Sequence, residues 1–128
     1  MSHHSATIEW QRNAENFLDQ RYSRRHHWRF DGGTEVVASA SPHVVPVPLS
    51  DPAAVDPEED FVASLSSCHM LWFLAIAARR GYRVDRYVDL AEGVMGRNAS
   101  GRRCITEVTL HPEVTWSGEP SPIPETVE

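Results

Sequence analysis

Polar and apolar residues alternate in the first forty positions of the chain, and this period of two predicts short β-strands. The alternation is clearest in residues 6–12 and in residues 26–31, where Trp28 and Phe30 share one face. A Gly-Gly pair then predicts a turn before a third strand over residues 35–40. We therefore expect an antiparallel meander with one buried face.

The pattern becomes helical over residues 56–81. Asp56 is a favourable N-cap, Pro57 suits the first helical position and Gly81 is placed to end the helix. Every position in residues 70–78 is apolar, and a helix that is apolar on all faces is buried on all faces. A chain of 128 residues can hardly cover such a helix alone. The pattern therefore favours a partner subunit or a sheet wrapped around the helix.

The remaining segments complete a single domain over residues 1–128. Four prolines in residues 41–56 predict an ordered crossing loop, with a flexible linker as the alternative. Two further strands are expected at residues 84–95 and 104–116, whereas residues 117–128 carry three prolines and no core-forming pattern. The order β-β-β-α-β-β indicates an α+β fold, with an antiparallel sheet against a buried central helix.

Charge and composition exclude several classes of function. The net charge of −6 argues against a partner that is a nucleic acid. All twelve basic residues are arginines, which excludes mechanisms that need a catalytic lysine. The N-terminus has no secretory pattern, so the cytoplasm is the expected compartment. The uncharged residues 61–78 include three serines and a histidine, which favours a core helix over a membrane span.

Two cysteines, Cys68 and Cys104, are the candidates for thiol chemistry. A lone cysteine in an apolar helix is most often a small core residue. A reactive thiol needs a nearby cation, and the sequence offers His69 and the four arginines of residues 21–29. The residues alone leave these two interpretations open. The histidines have no metal-ligand spacing, so no metal site is expected.

The segment DPEEDFVASLSSCHMLWFLAIAARRGY resembles the central helix of the OsmC/Ohr family of thiol-dependent organic hydroperoxide reductases. The resemblance rests on a Pro-Glu start, a stretch rich in small residues, a cysteine ten residues after the glutamate, an apolar run and a final glycine. It extends over residues 8–118, and YSRxHxWRFDGG is similar to the OsmC-like subgroup. It implies intertwined homodimers, an organic hydroperoxide substrate, an external thiol reductant, no cofactor and a role in oxidative or osmotic stress.

The resemblance also implies roles for individual residues. Cys68 matches the cysteine that attacks the peroxide, and Glu58 matches the glutamate that orients a catalytic arginine. Arg24 is the first choice for that arginine and Arg25 the second. The apolar substrate would contact four consecutive residues of the helix: Met70, Leu71, Trp72 and Phe73.

One departure from the family pattern concerns the second, resolving cysteine. In the family it lies in a later helix that is followed by a last strand, and we expect this chain to lack both. Cys104, in a strand, is expected to be a core residue instead. The alternative function is therefore a non-catalytic OsmC-like domain that binds an apolar ligand or serves as a dimerisation module.

Overall fold

The computed structural model describes residues 2–119. The elements are β1 (Ala6–Glu9), β2 (His26–Phe30), β3 (Glu35–Ala38), α1 (Pro57–Arg79), β4 (Arg83–Asp89), β5 (Glu92–Arg97), β6 (Arg103–Thr109) and β7 (Pro112–Ser117). The chain divides into two compact units between Asp60 and Phe61. The α+β class is confirmed, because α1 packs against antiparallel sheets. Of the proline-containing tail, residues 120–128 lie outside the described residues.

The first unit contains the predicted meander. Strands β1, β2 and β3 pair antiparallel in chain order, and Trp28 of β2 stands opposite both Ile8 and Val36. Trp28 is 8% exposed, whereas Ile8 is 59% and Phe30 38% exposed, so the expected buried face of the meander is closed only around Trp28. Gly33, in the turn between β2 and β3, has a φ of 98°, which explains why a glycine is needed there.

The proline-rich segment after β3 is an ordered loop, as the sequence predicts. The N–H of Ser39 donates to the carbonyl of Val55 at 2.9 Å, and the N–H of Val55 donates to Val37 at 3.1 Å. The fully buried hydroxyl of Ser39 accepts a hydrogen bond from the N–H of Asp51 at 2.9 Å. These bonds hold the two ends of the loop together, and the second end lies just before the start of α1.

Both ends of α1 form as predicted. The Asp56 carboxylate accepts from the N–H of Glu59 at 2.8 Å, and the Glu59 carboxylate accepts from the N–H of Asp56 at 3.2 Å. This reciprocal pair is a capping box. Hydrogen bonding with the Asp56 side chain raises the pKa of Glu59 above its ordinary value. Gly81 takes a φ of 81° at the other end, and the N–H of Tyr82 returns to Ala77 at 2.9 Å.

The second unit has four strands where the sequence predicts two. Each predicted strand is broken in the middle: β4 pairs with β7, and β5 pairs with β6. The breaks lie at residues 90–91 and 110–111, directly across from each other. Two features account for the breaks: Pro112 has no N–H for a ladder, and the N–H of His111 donates to the distant Asp89 carboxylate at 2.6 Å. The expectation of two continuous strands is therefore wrong.

Replacing Gly93 with alanine is expected to destabilise the fold by about 1–3 kcal/mol. A Cβ at Gly93 in β5 would lie 2.5 Å from Cγ2 of Val62 in α1, and β-branched valine has little rotamer freedom to move away. Chemical denaturation of the variant and the wild type measures the difference. Gly32→Ala is the matched control, since nothing lies within 4 Å of its Cβ position. Equal losses in both variants would contradict the close approach of α1 to β5.

Candidate active site

One face of α1 packs on the strands of the second unit. Val62 approaches Gly93 of β5, and the ring of Phe73 lies 5.5 Å from that of Tyr87 and 5.8 Å from that of Trp116. Ala77, one turn further along, is 5% exposed. Phe73 is 11 residues after Val62 and Ala77 is four after Phe73, which is about three helical turns and one turn, so the three residues form one stripe along the helix.

The opposite face of α1 is apolar and exposed. The apolar side chains of this exposed face are Phe61, Leu65, Leu71, Trp72 and Ile76, which are 41–67% exposed. Trp72 is the most exposed of them at 67%. Helical spacing places Cys68 among them, three residues after Leu65 and four before Trp72. An apolar face of this extent on a helix indicates a binding surface.

Cys68 is exposed within the chain, and its thiol is free. The stripe that packs on the strands does not include it, so Cys68 is not a core residue of the second unit. Cys104, by contrast, is half-buried in β6 opposite Gly96, and its thiol is also free. The structure therefore separates the two cysteines by environment: one lies on an open helix face and the other in a paired strand.

Asp89 at the end of β4 connects α1 to the strands just before Cys68. Its carboxylate accepts a hydrogen bond from the hydroxyl of Ser66 at 2.5 Å and another from the N–H of His111 at 2.6 Å. Charge-assisted hydrogen bonds of this kind are short and strong. Asp89 thus fixes the turn of helix that leads into Cys68. This role of Asp89 is not predictable from the sequence, because Asp89 lies within a run that predicts one continuous strand.

His69 and Tyr87 form the next polar contact along the same side of α1. Nδ1 of His69 lies 3.1 Å from the hydroxyl of Tyr87, and the ring of His69 stacks on Phe73 with centroids 6.5 Å apart. Burial raises the pKa of Tyr87 above 10.0, and the negative charge of Asp89 raises it further. Tyr87 therefore keeps its proton at neutral pH and links the helix to β4 as a neutral hydroxyl.

The raised pKa of Tyr87 predicts a pH dependence of stability. Between 10.0 and the pKa in the folded state, the folded chain binds a proton that the unfolded chain has released. Stability should therefore fall as pH rises through this window. Denaturation midpoints measured from pH 8 to pH 11 should fall less steeply for Tyr87→Phe than for the wild type. Identical slopes would show that Tyr87 does not titrate differently in the two states.

Arg24 lies in the first unit, in the segment before β2, and it is half-buried. Its guanidinium donates to the carbonyl of Gln20 at 3.0 Å and to that of Tyr22. Its Cζ also lies 3.7 Å above the centre of the Tyr22 ring, a cation–π contact. The side chain is thus held by its own loop. Arg25 is more exposed, with 57% of its side chain accessible, and its Nε lies 3.5 Å from the Asp51 carboxylate.

Glu58 lies in the first turn of α1, also within the first unit. Its Oε2 atom is buried and has no hydrogen-bond partner among the described residues. Within that unit, and over residues 2–60, neither Arg24 nor Arg25 forms an ion pair with Glu58. A buried carboxylate oxygen is costly unless a donor reaches it. Oε2 of Glu15 is buried without a partner in the same way, so this feature does not by itself assign Glu58 a role.

The four residues expected to contact substrate lie on different faces of α1. Leu71 and Trp72 are on the exposed face with Cys68, whereas Met70 and Phe73 are half-buried and Phe73 contacts the aromatic rings of the strands. Four consecutive helical residues cannot share one face. Leu71 and Trp72 are therefore the two whose position is compatible with a substrate held near Cys68.

An aromatic cluster near Arg24 was not recognised in the sequence. The ring of Tyr22 lies 4.8 Å from that of Phe17 and 5.5 Å from that of Trp10. The indole N–H of Trp10 donates to the carbonyl of Ser23 at 2.9 Å, next to Arg24. The three aromatic residues are spread over thirteen positions of polar sequence, so no periodic pattern pointed to them. Together they give the arginine-bearing loop an apolar surface.

No group of three histidine, cysteine or acidic side chains within residues 2–119 is arranged to hold a metal ion. Helix α1 is long and apolar enough to cross a membrane by length and composition alone. A single such helix indicates little, because core helices of soluble proteins share these properties.

Comparisons with known proteins found one matching family model and a similar solved structure. The sequence profile of OsmC-like proteins matches residues 50–128. The structure is similar to that of an OsmC-like protein of unknown function from Vibrio cholerae, with a TM-score of 0.97 and 55% sequence identity. That similarity covers 99% of this chain and 83% of the other. None of the curated proteins matches the chain.

Proposed function

Because the chain belongs to the OsmC-like family, we propose that it reduces organic hydroperoxides by thiol chemistry at Cys68. The observation that carries this proposal is the exposure of Cys68 on an apolar helix face. A thiol that only filled a core would face the strands with Phe73 and Ala77. An exposed thiol among apolar side chains is instead open to an apolar peroxide.

The proposed reaction has two stages. The Cys68 thiolate attacks the distal oxygen of ROOH; the S–O bond forms, the O–O bond breaks, and the leaving alkoxide takes a proton to give ROH. The sulfur is oxidised to sulfenic acid. One external thiol then condenses with it, releasing water and forming a mixed disulfide, and a second thiol restores Cys68 by disulfide exchange. The electrons come from these two thiols, and no cofactor is required.

Arg24 is the proposed cation of this site. A guanidinium near the thiolate favours the ionised form, and it stabilises the negative charge that develops on the alkoxide. The unpartnered Oε2 of Glu58 is suited to hold a guanidinium in a charge-assisted pair. The aromatic cluster around Tyr22 and the exposed Leu71 and Trp72 would surround an alkyl or aryl group. These surroundings favour an organic hydroperoxide over hydrogen peroxide.

We further propose that the site forms between two copies of the chain. Glu58 and Cys68 lie on one uninterrupted helix, and ten residues correspond to about 15 Å along its axis. An arginine side chain spans only about half that distance, so one arginine cannot contact both the carboxylate of Glu58 and the thiol of Cys68 in the same helix. In a homodimer, Arg24 and Glu58 of one copy can approach Cys68 of the other. A two-fold axis would create two equivalent sites.

Turnover measurements test the proposed function directly. Purified protein is incubated with cumene hydroperoxide and dithiothreitol, and consumption of peroxide is followed in parallel with hydrogen peroxide as substrate. The expected result is catalytic consumption that is faster for cumene hydroperoxide, with sulfenic acid mapped to Cys68 by mass spectrometry. No turnover with either peroxide would favour a non-catalytic domain. Cytoplasmic localisation is part of the proposal, since thiol reductants persist there.

Arg24→Ala is expected to lower kcat/KM for cumene hydroperoxide by about 10²–10³-fold, the usual effect of losing one charge-stabilising donor. Arg24→Lys should restore little of the activity, because lysine cannot form a bidentate pair with a carboxylate. Arg25→Ala is the matched control, and its exposed contact with Asp51 predicts a change of less than about threefold. A larger loss in Arg25→Ala would make Arg25 the catalytic arginine.

A further inference from the structure

His26 lies between two hydrogen-bonding groups on the same side of β2. The indole N–H of Trp28 points to Nε2 of His26 at 3.0 Å, and Nδ1 of His26 lies 2.7 Å from the carbonyl oxygen of Arg24. His26 and Trp28 are two residues apart in β2, so their side chains lie on one face, and the backbone carbonyl of Arg24 precedes the strand by two residues. The Arg-x-His-x-Trp part of the sequence motif is thus a continuous chain of hydrogen bonds.

The partners on either side fix the protonation of this imidazole. An indole nitrogen can only donate, so Nε2 of His26 must be the acceptor. A peptide carbonyl can only accept, so Nδ1 must carry the proton. The geometry therefore places the proton of His26 on Nδ1 and the acceptor lone pair on Nε2. Trp28 is 8% exposed, which makes an unpaired indole N–H costly and keeps the arrangement in place.

The backbone of Arg24 is held at both of its polar groups. Its carbonyl accepts from His26 at 2.7 Å, and its N–H donates to the carbonyl of Leu49 in the proline-rich loop at 2.7 Å. Loop residues rarely have both groups paired inside the protein unless the loop is ordered. The side chain then leaves this fixed backbone toward Tyr22. Trp28 in the core of the sheet is thereby connected, through His26, to the base of Arg24.

We infer that His26 is a positioning residue for Arg24, acting through its Nδ1–H while Trp28 holds the imidazole in the required form. The inference rests on the proposed function only for what Arg24 does in the reaction. His26 itself does not contact substrate. Its effect is to restrict where the guanidinium can lie, and a displacement of about 1 Å in such a group can cost about 10²-fold in rate.

Two substitutions at position 26 separate this role from simple packing. His26→Asn places an amide donor where Nδ1 lies, whereas His26→Gln places its amide nearer to Nε2. Asparagine should therefore keep the bond to Arg24 and glutamine should lose it, although glutamine is closer to histidine in size. His27→Asn is the matched control, since His27 is the next residue of β2 and points to the other face.

The wild-type protein provides the first test. At a pH where the imidazole is neutral, ¹⁵N chemical shifts should report His26 as the Nδ1–H form only. Trp28→Phe removes the indole donor and should allow the Nε2–H form to appear. A wild-type His26 in the Nε2–H form would overturn the inference, whatever the catalytic result.

The variants provide the second test, with two separate measurements. Hydrogen exchange of the Arg24 amide should be about tenfold faster in His26→Gln and little changed in His26→Asn and His27→Asn. The value of kcat for cumene hydroperoxide should fall about tenfold or more in His26→Gln, follow the same order across the variants, and change more than KM. Equal exchange rates in all three variants would overturn the positioning role. A wild-type protein without turnover would refute the proposed function, and the exchange rates would still decide the role of His26.

Discussion

Cys68→Ser should reduce the rate of hydroperoxide reduction by at least about 10³-fold, the scale on which enzymes lose activity when the nucleophile is removed. A serine hydroxyl is far less ionised than a thiol at neutral pH, and oxygen cannot take up the transferred peroxide oxygen as sulfur does. Steady-state consumption of cumene hydroperoxide with dithiothreitol measures the loss. Thermal denaturation should show that the variant is folded, because the exposed Cys68 contributes little to the core of the second unit.

Cys104→Ser is the matched control for this prediction. Cys104 is half-buried in β6, and we expect activity within about threefold of the wild type together with a small loss of stability. A double variant should behave as Cys68→Ser alone. If Cys104→Ser is the inactive variant and Cys68→Ser is active, the assignment of the reactive cysteine is wrong.

Leu71→Glu should prevent the chain from forming a homodimer. Leu71 is 60% exposed on the apolar face of α1, and a second copy that covers this face would have to bury the new carboxylate. Burying an unpaired charge costs several kcal/mol. We therefore expect the dissociation constant of the dimer to be at least about 10²-fold higher than in the wild type. Sedimentation analysis over a range of protein concentrations measures the change. The change in mass alone tests the interface, because Leu71 is also proposed to contact the substrate.

Leu90→Glu is the matched control for Leu71→Glu, because it introduces the same charge at an exposed leucine outside α1. Leu90 lies between β4 and β5 and is 73% exposed, so its replacement should leave both the mass in solution and the turnover unchanged. A Leu71→Glu protein that remains dimeric and fully active would contradict the proposed interface. That result would mean that a second copy does not cover the exposed face of α1.

The ends of the helix could be predicted from the sequence because they depend on local chemistry. Asp56, Pro57 and Gly81 act on backbone groups within a few residues of themselves, and all three do so in the structure. The same applies to the glycine turn between β2 and β3. Signals of this kind need no knowledge of the rest of the fold.

The breaks in the two long strands could not be predicted in this way. Residues 84–95 and 104–116 each read as a single alternating run. What divides them is a carboxylate, Asp89, that reaches across to the N–H of His111 and to Ser66 of the helix. A pairing between residues more than twenty positions apart leaves no mark on the local pattern. Pro112 is the one local signal of a break, and a single proline is also compatible with an edge strand.

Some residues of the candidate site were predicted from the sequence and others were found only in the structure. Cys68, Glu58 and the two arginines came from resemblance to a family, and the roles proposed for them remain predictions. Residue chemistry alone did not separate a core cysteine from a reactive one, because burial depends on which face of α1 meets the strands. His26 and Tyr87 were missed as site residues because their importance lies in hydrogen bonds to particular partners.

The uncovered face of α1 also bears on how the protein is made. A newly synthesised chain that folds as described presents Phe61, Leu65 and Trp72 to water. In the proposed dimer, folding is therefore completed only by association, and its free energy depends on the concentration of chains. Apolar surface that stays exposed during this interval promotes aggregation. The yield of soluble protein would then be governed by how quickly two nascent chains meet.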